Sequence, residues 1–162
     1  MGLDTTHGCW EGAYSAFHRW RCKVAEAAGI PLELMEGFYT PFFGSINNSV
    51  QHDTERLVEM SNALKMEDSL CGIYIRNVAP LLPIKWSSLK PDPLHVLLDH
   101  SDCDGYIKVS DARKIAKRLE EILPLLPDED AGGHIGNWRE KTQTFIDGLK
   151  RAVAERKRVE FH

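Results

Sequence analysis

Three aspartates and a glycine lie close together in the second half of the chain, in a pattern that could bind a divalent cation. Asp102 and Asp104 are separated by a single residue, and Gly105 follows directly. Asp111 comes six residues after the glycine. Carboxylate oxygens are the ligands that hard cations such as calcium prefer, and glycine suits a sharp turn because it adopts left-handed backbone conformations without steric cost. The segment therefore predicts a cation-binding turn.

This spacing resembles the loop of an EF-hand, the helix–loop–helix motif that binds calcium, over residues 100–111. In that frame Gly105 takes the sixth place, where an EF-hand loop has its glycine. Asp102 and Asp104 then take the third and fifth places, and Asp111 takes the twelfth. The resemblance implies a divalent-cation site with calcium as the first candidate for the bound ion.

Two positions depart from the EF-hand pattern, so the ligand set is weaker than the spacing. His100 stands where the first aspartate is usual, and Asp111 replaces a longer glutamate that binds through both oxygens. A dissociation constant of ~10⁻⁴ M or weaker is expected for calcium. Zinc is an alternative because His100, Cys103 and the two aspartates suit a softer ion, and manganese is a further candidate. In the competing interpretation no ion binds, and the aspartates make only turn and cap hydrogen bonds. The expected metal ligands are Asp102, Asp104, Asp111, His100 and the carbonyl of Tyr106.

The segments that flank the loop predict a helix–loop–helix over residues 92–123. Asp92 is a candidate N-cap for the first helix, and Pro93 suits its first turn. The second helix is predicted to begin at Ser110 or Asp111, to bury one apolar face, and to end at a proline. The apolar residues of the first helix, expected to be largely buried, are Leu94, Val96, Leu97 and Leu98.

The whole chain predicts a mainly helical α+β fold with a small sheet built from terminal and central strands. Its 162 residues are enough for one domain with a substantial core and too few for two comfortable ones, so a single domain over 1–162 is expected. The other predicted elements are a small strand within 2–7, helices over 10–28 and from 53 or 54, a strand over 72–78, a helix capped by Asn137, and a terminal strand over 158–162. The last helix is predicted to bury Trp138, Phe145, Leu149 and Val153.

A second candidate site combines cations with aromatic residues and takes an anionic ligand. Arg19 and Lys23 are four residues apart on a helix, where they could contact one anion. Residues 30–51 lack periodicity and predict an irregular aromatic loop, which serves either as a binding lid or as part of the core. The polar side of the first long helix is expected to carry His18, Arg19, Arg21 and Lys23. The aromatic residues of this site are Phe38, Tyr39, Phe42 and Phe43, and His7 is added as a polar residue that could approach His162 if the terminal strands pair.

Composition excludes several classes of protein. A net charge of −4 with 27% charged residues argues against general nucleic-acid binding. The four cysteines are far apart in sequence and include no C-x-x-C pair, so neither a zinc ribbon nor a disulfide framework is predicted. No apolar run reaches the length of a membrane span, and the polar start does not resemble a signal peptide. A cytoplasmic protein without a membrane partner is expected.

Three stretches of the chain, MGLDTTHGCW at the start, LLDHSDCDG in the centre and FIDGLKRAVAERKRVEFH at the end, resemble a group of small uncharacterised proteins from bacteria and their phages. The resemblance covers most of the chain. It implies a compact cytoplasmic protein of a bacterial or phage genome, and it carries no activity and no functional residue to this sequence.

These features lead to three alternative functions. The first is a small binding protein with a divalent-cation site in the degenerate EF-hand loop. The second is a metal-dependent hydrolase of a phosphodiester or nucleotide, with His7, His52 or His100 completing the metal shell; here the pair His52-Asp53 resembles the paired ligands of HD-type phosphohydrolases. The third is a metal-free module that sequesters an anionic signalling molecule or a host protein. No G-x-S-x-G, Walker or G-x-G-x-x-G motif is present in the sequence, so binding is favoured over catalysis.

Overall fold

The computed structural model describes residues 2–38 and 84–162 of the chain, and it divides into two compact units. One unit comprises Met1–Ala27 and Asp92–His162, and the other comprises Ala28–Pro91. The expectation of a single domain stays a prediction.

Four α-helices and four short strands in the described ranges confirm the mainly helical α+β class. The helices are α1 (Tyr14–Ala28), α2 (His95–Leu98), α3 (Val109–Ile122) and α4 (Trp138–Glu155). The strands are β1 (Leu3–Asp4), β2 (Glu11–Gly12), β3 (Gly105–Ile107) and β4 (Val159–Phe161). Four predicted features lie outside the described residues: the helix from 53 or 54, the strand over 72–78, His52, and the loop residues Tyr39, Phe42 and Phe43.

The strands bring the beginning, the centre and the end of the first unit together. β1 pairs antiparallel with β2, and β3 pairs antiparallel with β4. A bridge between Thr5 and Phe161 joins the two pairs, and beside it Asp4 and His162 exchange backbone hydrogen bonds of 2.9 and 3.0 Å. The prediction of a small sheet that includes the terminal strands is therefore confirmed. Its central strand is β3, within the predicted metal loop, whereas the central strand predicted over 72–78 lies outside the described residues.

The first long helix begins later than the sequence pattern predicts. Its periodicity placed the start at Trp10, but Glu11 and Gly12 pair with β1 as a strand, and the helix begins at Tyr14. Trp10 is nevertheless buried, with its ring centre 5.0 Å from that of Phe17. The apolar period predicts correctly that Trp10 is buried, but wrongly that Trp10 is helical. A residue just before a strand can pack on the same core as the helix that follows.

An aromatic cluster forms the centre of this unit. Trp20 is fully buried between Phe17 and Phe145, whose ring centres lie 5.7 and 4.6 Å from its own. Its indole N–H donates to the hydroxyl of Thr142 on α4 at 2.9 Å, and that hydroxyl donates to the carbonyl of Trp138 at 2.8 Å. Full burial of a large apolar side chain stabilises a fold by roughly 1.5–3 kcal/mol, so this cluster fixes α1 firmly against α4.

The helices around the predicted loop follow the expected order with one correction. Helix α2 is only one turn long, and Val96 within it is 40% exposed, although the sequence pattern predicted it to be buried. A four-residue helix has room for one buried side, and Leu97 and Leu98 occupy it. Helix α3 buries the face that its period predicts, namely Ala112, Ile115, Ala116, Leu119 and Ile122. A 3₁₀ turn at Leu123–Leu125, which contains the proline, follows it.

The start of helix α4 confirms the predicted cap. The side-chain oxygen of Asn137 accepts hydrogen bonds from the backbone N–H groups of Arg139 and Glu140, at 2.9 and 3.2 Å. Such a cap stabilises a helix by about 1 kcal/mol. Of the residues predicted to be buried on this helix, Trp138, Phe145 and Leu149 are buried and Val153 is half-buried.

The second unit is described only in part. It contains 3₁₀ turns at Leu32–Leu34 and Trp86–Ser88, and a parallel bridge joins Met35 to Ile84. The carboxylate of Glu36 accepts a hydrogen bond of 3.1 Å from the backbone N–H of Trp86. Phe38, the one residue of the predicted aromatic site within the described part, is half-buried. Among the described residues of both units, no helix combines the length and apolarity that a membrane span needs.

Candidate functional site

The loop after helix α2 has the order of elements that an EF-hand requires. Helix α2 ends at Leu98, strand β3 begins at Gly105, and helix α3 begins at Val109. Gly105 has a φ of 103°, and a Cβ atom there would lie 3.2 Å from two atoms of the His100 ring. Glycine is needed for both its backbone conformation and the close approach of the imidazole. The predicted helix–loop–helix is present, on a first helix of one turn.

A buried arginine reaches into this loop from helix α1. The side chain of Arg21 is 2% exposed. One of its terminal nitrogens donates to the carbonyl oxygens of Leu98 and His100, at 3.0 and 2.7 Å. The other donates to a carboxylate oxygen of Asp102. The guanidinium also lies over the Phe17 ring, 4.8 Å from its centre. An internal cation therefore binds the loop at the places where the sequence predicts a metal.

The placement of Arg21 overturns one expectation. The sequence pattern assigned it to the solvent-facing side of α1, and the structure buries it. Burial lowers its pKa from the ordinary arginine value, while the negative charge of Asp102 opposes that shift. The signal that could have revealed it is its spacing, four residues after Phe17 and three before Val24, which puts it on the apolar stripe of the helix.

This ion pair limits what Asp102 can do for a metal. Removing one partner of a buried ion pair typically destabilises a protein by about 3–5 kcal/mol, because a buried charge is left unpaired. The Asp102 side chain is 33% exposed and the Arg21 side chain 2% exposed. Breaking the pair therefore costs free energy mainly because the Arg21 charge is buried. A metal that takes the carboxylate of Asp102 must compete with the guanidinium or bind beside it.

The other predicted ligands are held in separate local contacts. The Nδ1 atom of His100 lies 2.8 Å from the carbonyl oxygen of Ser101, and the imidazole packs on the Phe161 ring at 4.1 Å between centres. Asp104 accepts a hydrogen bond of 2.7 Å from the Ser101 hydroxyl. The Tyr106 ring is 46% exposed and lies 4.5 Å from the guanidinium of Arg158. The hydrogen bond between Ser101 and Asp104 is a local contact within the turn, as the interpretation without an ion predicts.

Asp111 lies in the first turn of helix α3 and is half-buried. Across residues 2–38 and 84–162, no three histidine, cysteine, aspartate or glutamate side chains are grouped as a metal ion would require. In the arrangement described, Asp102, Asp104 and Asp111 do not form one ligand shell.

The predicted cations Arg19 and Lys23 do converge, and they do so on a tryptophan. The guanidinium carbon of Arg19 and the amine of Lys23 lie 6.0 and 5.6 Å from the ring centre of Trp138. Lys23 also lies 3.0 Å from a carboxylate oxygen of Glu26. A cation held over an aromatic ring gains about 0.5–1 kcal/mol at exposed sites, so the indole orients both side chains towards one place.

An open cavity of about 520 Å³ adjoins this place. Its size falls within the range of sites that bind small molecules. One wall is apolar, and Leu125 on it is 67% exposed. The cavity is lined by Lys23, Glu26, Ala27, Leu125, Pro127 and Glu129. The sequence analysis did not identify Leu125, Pro127 and Glu129 as site residues, because about a hundred residues separate them from α1.

His7 lies in a third polar cluster, at the start of the chain. Its Nδ1 atom is 3.0 Å from the hydroxyl of Thr6, and its Nε2 atom is 3.5 Å from a carboxylate oxygen of Glu155. Arg151 donates two hydrogen bonds to the carbonyl of His7. The terminal strands do pair, as the prediction about His7 required, and the ring of His7 contacts Thr6 and Glu155.

Comparison of the chain with protein-family models, with curated proteins and with solved structures gave no match. The resemblance to small bacterial and phage proteins therefore stays a prediction, and the function is argued from the three clusters alone.

Proposed function

We propose that the protein is a small, metal-independent binding module that takes an anionic small molecule at Arg19, Lys23 and Trp138. The observation that carries the proposal is the convergence of two cations on one indole ring, where Lys23 also lines the cavity of about 520 Å³. The EF-hand-like loop serves this module as a structural element, and the guanidinium of Arg21 braces it.

The lining of the cavity defines the class of ligand. Arg19 does not line the cavity, but it lies over the same Trp138 ring as Lys23, which does. It is exposed, and a guanidinium offers a planar pair of donors that matches a phosphate or a carboxylate. Ala27, Leu125 and Pro127 offer an apolar wall for a ring or another apolar body. Glu129 offers an acceptor for a donor group on the ligand. A nucleotide-like molecule, with a phosphate at one end and a ring with an amino group at the other, combines these features.

The ion pair between Lys23 and Glu26 is a weak competitor for such a ligand. The two side chains are 29% and 38% exposed, and they are three residues apart on one helix. Exposed pairs of this kind contribute about 0.3–0.5 kcal/mol, so a phosphate can replace the carboxylate at small cost. In a bacterial or phage setting, a module of this kind would lower the free concentration of an anionic signal.

The test is titration calorimetry with inorganic phosphate, a nucleoside monophosphate and a cyclic dinucleotide as probes, in buffer that contains EDTA. Binding of at least one nucleotide probe is expected. Arg19→Gln and Lys23→Gln should each weaken it by about tenfold, because a hydrogen bond to a charged group contributes about 1.5–3 kcal/mol. Lys114→Gln, which removes an exposed cation from helix α3, should leave the affinity unchanged. Equal weakening by all three variants, or no binding of any probe, would contradict the proposal.

A second candidate function is the binding of a divalent cation in the EF-hand-like loop, with calcium first and zinc or manganese as alternatives. The observation that favours it is the order of elements, in which a helix end, Gly105 and a helix start occur at the expected places. Asp104 and Asp111 supply the carboxylates that Arg21 does not hold. Since Asp102 is committed to Arg21, an affinity at the weak end of the EF-hand range is expected.

Thermal unfolding tests this candidate after EDTA treatment, with calcium, magnesium, manganese or zinc added back. A cation at a hundred times its dissociation constant should stabilise the fold by about 2.7 kcal/mol. The shift should disappear in Asp104→Asn and remain in Asp147→Asn, which removes an exposed carboxylate on helix α4. An unchanged midpoint with every cation counts against any metal function of the loop.

The metal-dependent hydrolase remains a separate prediction, which can be tested with the wild-type protein and the Asp104→Asn variant. A phosphodiester such as bis-p-nitrophenyl phosphate should then be turned over only with a cation present, and Asp104→Asn should abolish the reaction. Turnover that survives EDTA would require a different catalytic group.

A further inference from the structure

Thr6, His7 and Glu155 form a chain of polar contacts that neither proposed function uses. The Thr6 hydroxyl lies 3.0 Å from Nδ1 of His7, and Nε2 of the same ring lies 3.5 Å from a carboxylate oxygen of Glu155. A hydroxyl, an imidazole and a carboxylate in this order are the groups that activate a nucleophile in covalent catalysis.

The backbone makes the contact between two consecutive side chains possible. His7 has a φ of 61°, a left-handed conformation that is uncommon for a residue other than glycine. Arg151 holds it there with hydrogen bonds of 3.0 and 2.6 Å to the carbonyl oxygen of His7. Such strained residues cost about 1–3 kcal/mol each and cluster at functional sites.

Hydrogen bonding assigns the direction of the protons. The backbone N–H of Glu160 donates to the Thr6 oxygen at 2.9 Å, so the hydroxyl proton is available for donation to Nδ1 of His7. The imidazole then carries its own proton on Nε2, which faces Glu155. The same carboxylate lies 3.3 Å from the amine of Lys157.

We propose that Thr6 is a nucleophile for acyl transfer from activated esters, with His7 as its base and Glu155 as the residue that positions the imidazole. In the first step the Thr6 oxygen forms a bond to the acyl carbon, while its proton moves to Nδ1 of His7. The bond from the acyl carbon to the leaving oxygen breaks, and the leaving group takes that proton from His7. Water then attacks the acyl-threonine by the same route and releases the acid.

The surroundings define the acyl group. Thr6 and His7 are half-buried, and the exposed Gly8 follows them, so a short acyl chain fits better than a bulky one. Arg151 donates two hydrogen bonds to the His7 carbonyl, so its positive charge lies beside this segment and would favour an oxyanion formed there. The substrate class is therefore a small acyl ester.

Acylation of the full-length wild-type protein tests the idea directly. The protein is incubated with p-nitrophenyl acetate, and the acetyl group is located by peptide mass spectrometry. Thr144 is the internal reference, because it is an exposed threonine whose hydroxyl donates to a backbone carbonyl at 2.9 Å. Since general-base assistance contributes about 10²-fold or more, Thr6 should be acetylated at least about a hundred times faster than Thr144. Equal rates at the two threonines would overturn the proposal without the use of any variant.

Variants then separate activation from structure. His7→Gln should reduce labelling of Thr6 to the rate of Thr144, and Glu155→Gln should reduce it by about tenfold or more. Thr6→Ser should retain labelling, because the serine hydroxyl can make the same contacts. Undiminished labelling of Thr6 in His7→Gln would show that the imidazole is not its base and would refute the relay.

Discussion

Helix α1 carries two arginines that differ in environment although they are only two residues apart. Arg21 is 2% exposed and binds two carbonyls and a carboxylate of the loop, whereas Arg19 is exposed beside Trp138. The same contrast separates Asp102 from Asp104, and the buried Cys9 from the exposed Cys103. Residue type alone therefore does not assign a role in this molecule. Burial makes Arg21 and Cys9 structural, and contact with the buried Arg21 does the same for Asp102, whereas Arg19, Cys103 and Asp104 stay available for ligands and reagents.

The largest expected difference lies between the two aspartates of the loop. Asp102→Ala removes the carboxylate from the buried Arg21 guanidinium, which keeps its hydrogen bonds to the Leu98 and His100 carbonyls. It should lower the free energy of unfolding by about 1.5–3 kcal/mol, the usual contribution of a hydrogen bond to a charged group. Asp104→Ala removes an exposed carboxylate and its bond to Ser101, and it should cost about 1 kcal/mol or less. Urea denaturation of the two variants measures both values. Equal losses would mean that the contact with Arg21 contributes nothing to the difference between Asp102 and Asp104.

The next largest difference is expected between Cys9 and Cys103, in how each affects the free energy of unfolding as pH rises. Burial raises the pKa of the Cys9 thiol from 9.0 to about 12. Above pH 9 the unfolded chain therefore releases this proton before the folded chain does, so stability is lost as pH rises from about 9 towards 12. At pH 10, one unit above the pKa of the thiol in the unfolded chain, the expected loss in the free energy of unfolding is about 1.4 kcal/mol.

Cys9→Ala should flatten this alkaline decline, and Cys103→Ala should leave it unchanged, in denaturation curves taken between neutral pH and pH 10. Alkylation by iodoacetamide gives an independent measurement, since the exposed Cys103 should react much faster than the buried Cys9 in the folded protein. Rapid alkylation of Cys9 under native conditions would show that its surroundings open readily.

The smallest effect on stability is expected at Arg19. Arg19→Gln should change the free energy of unfolding by no more than about 0.5 kcal/mol, as is usual for exposed positions. The same variant should weaken nucleotide binding, so a loss of function without a loss of stability would sharpen the contrast with Arg21. A marked destabilisation would assign Arg19 a structural role instead.

The sequence predicted the features that depend on neighbours along the chain. The Asn137 cap, the apolar face of helix α3 and the glycine of the loop were all recognised, because each depends on residues within a few positions. The contact between Arg21 and the loop spans about eighty residues, and no local pattern encodes it. The cavity has the same origin, since its walls come from α1 and from the segment after α3.

The misplaced start of helix α1 has a similar cause. Trp10 carries the apolar period of the helix, but its backbone belongs to a hairpin whose other strand is at Leu3–Asp4. Periodicity reports which side chains are buried, and pairing between strands decides the backbone conformation. The candidate metal site shows the same limit, because the spacing of aspartates cannot reveal a cation that another helix supplies.

The hydrogen bonds between Asp4 and His162 also have a consequence for the order of events in folding. They join residues that are far apart in the sequence, so the strands β1 and β4 cannot be brought together until β4 has been synthesised. Closing so long a loop has an entropic cost before its contacts form, and proteins with many such contacts fold more slowly than helical bundles of equal size. The helices α1 and α3 can form from local contacts alone, but the bridge between Thr5 and Phe161 must wait for the distant β4.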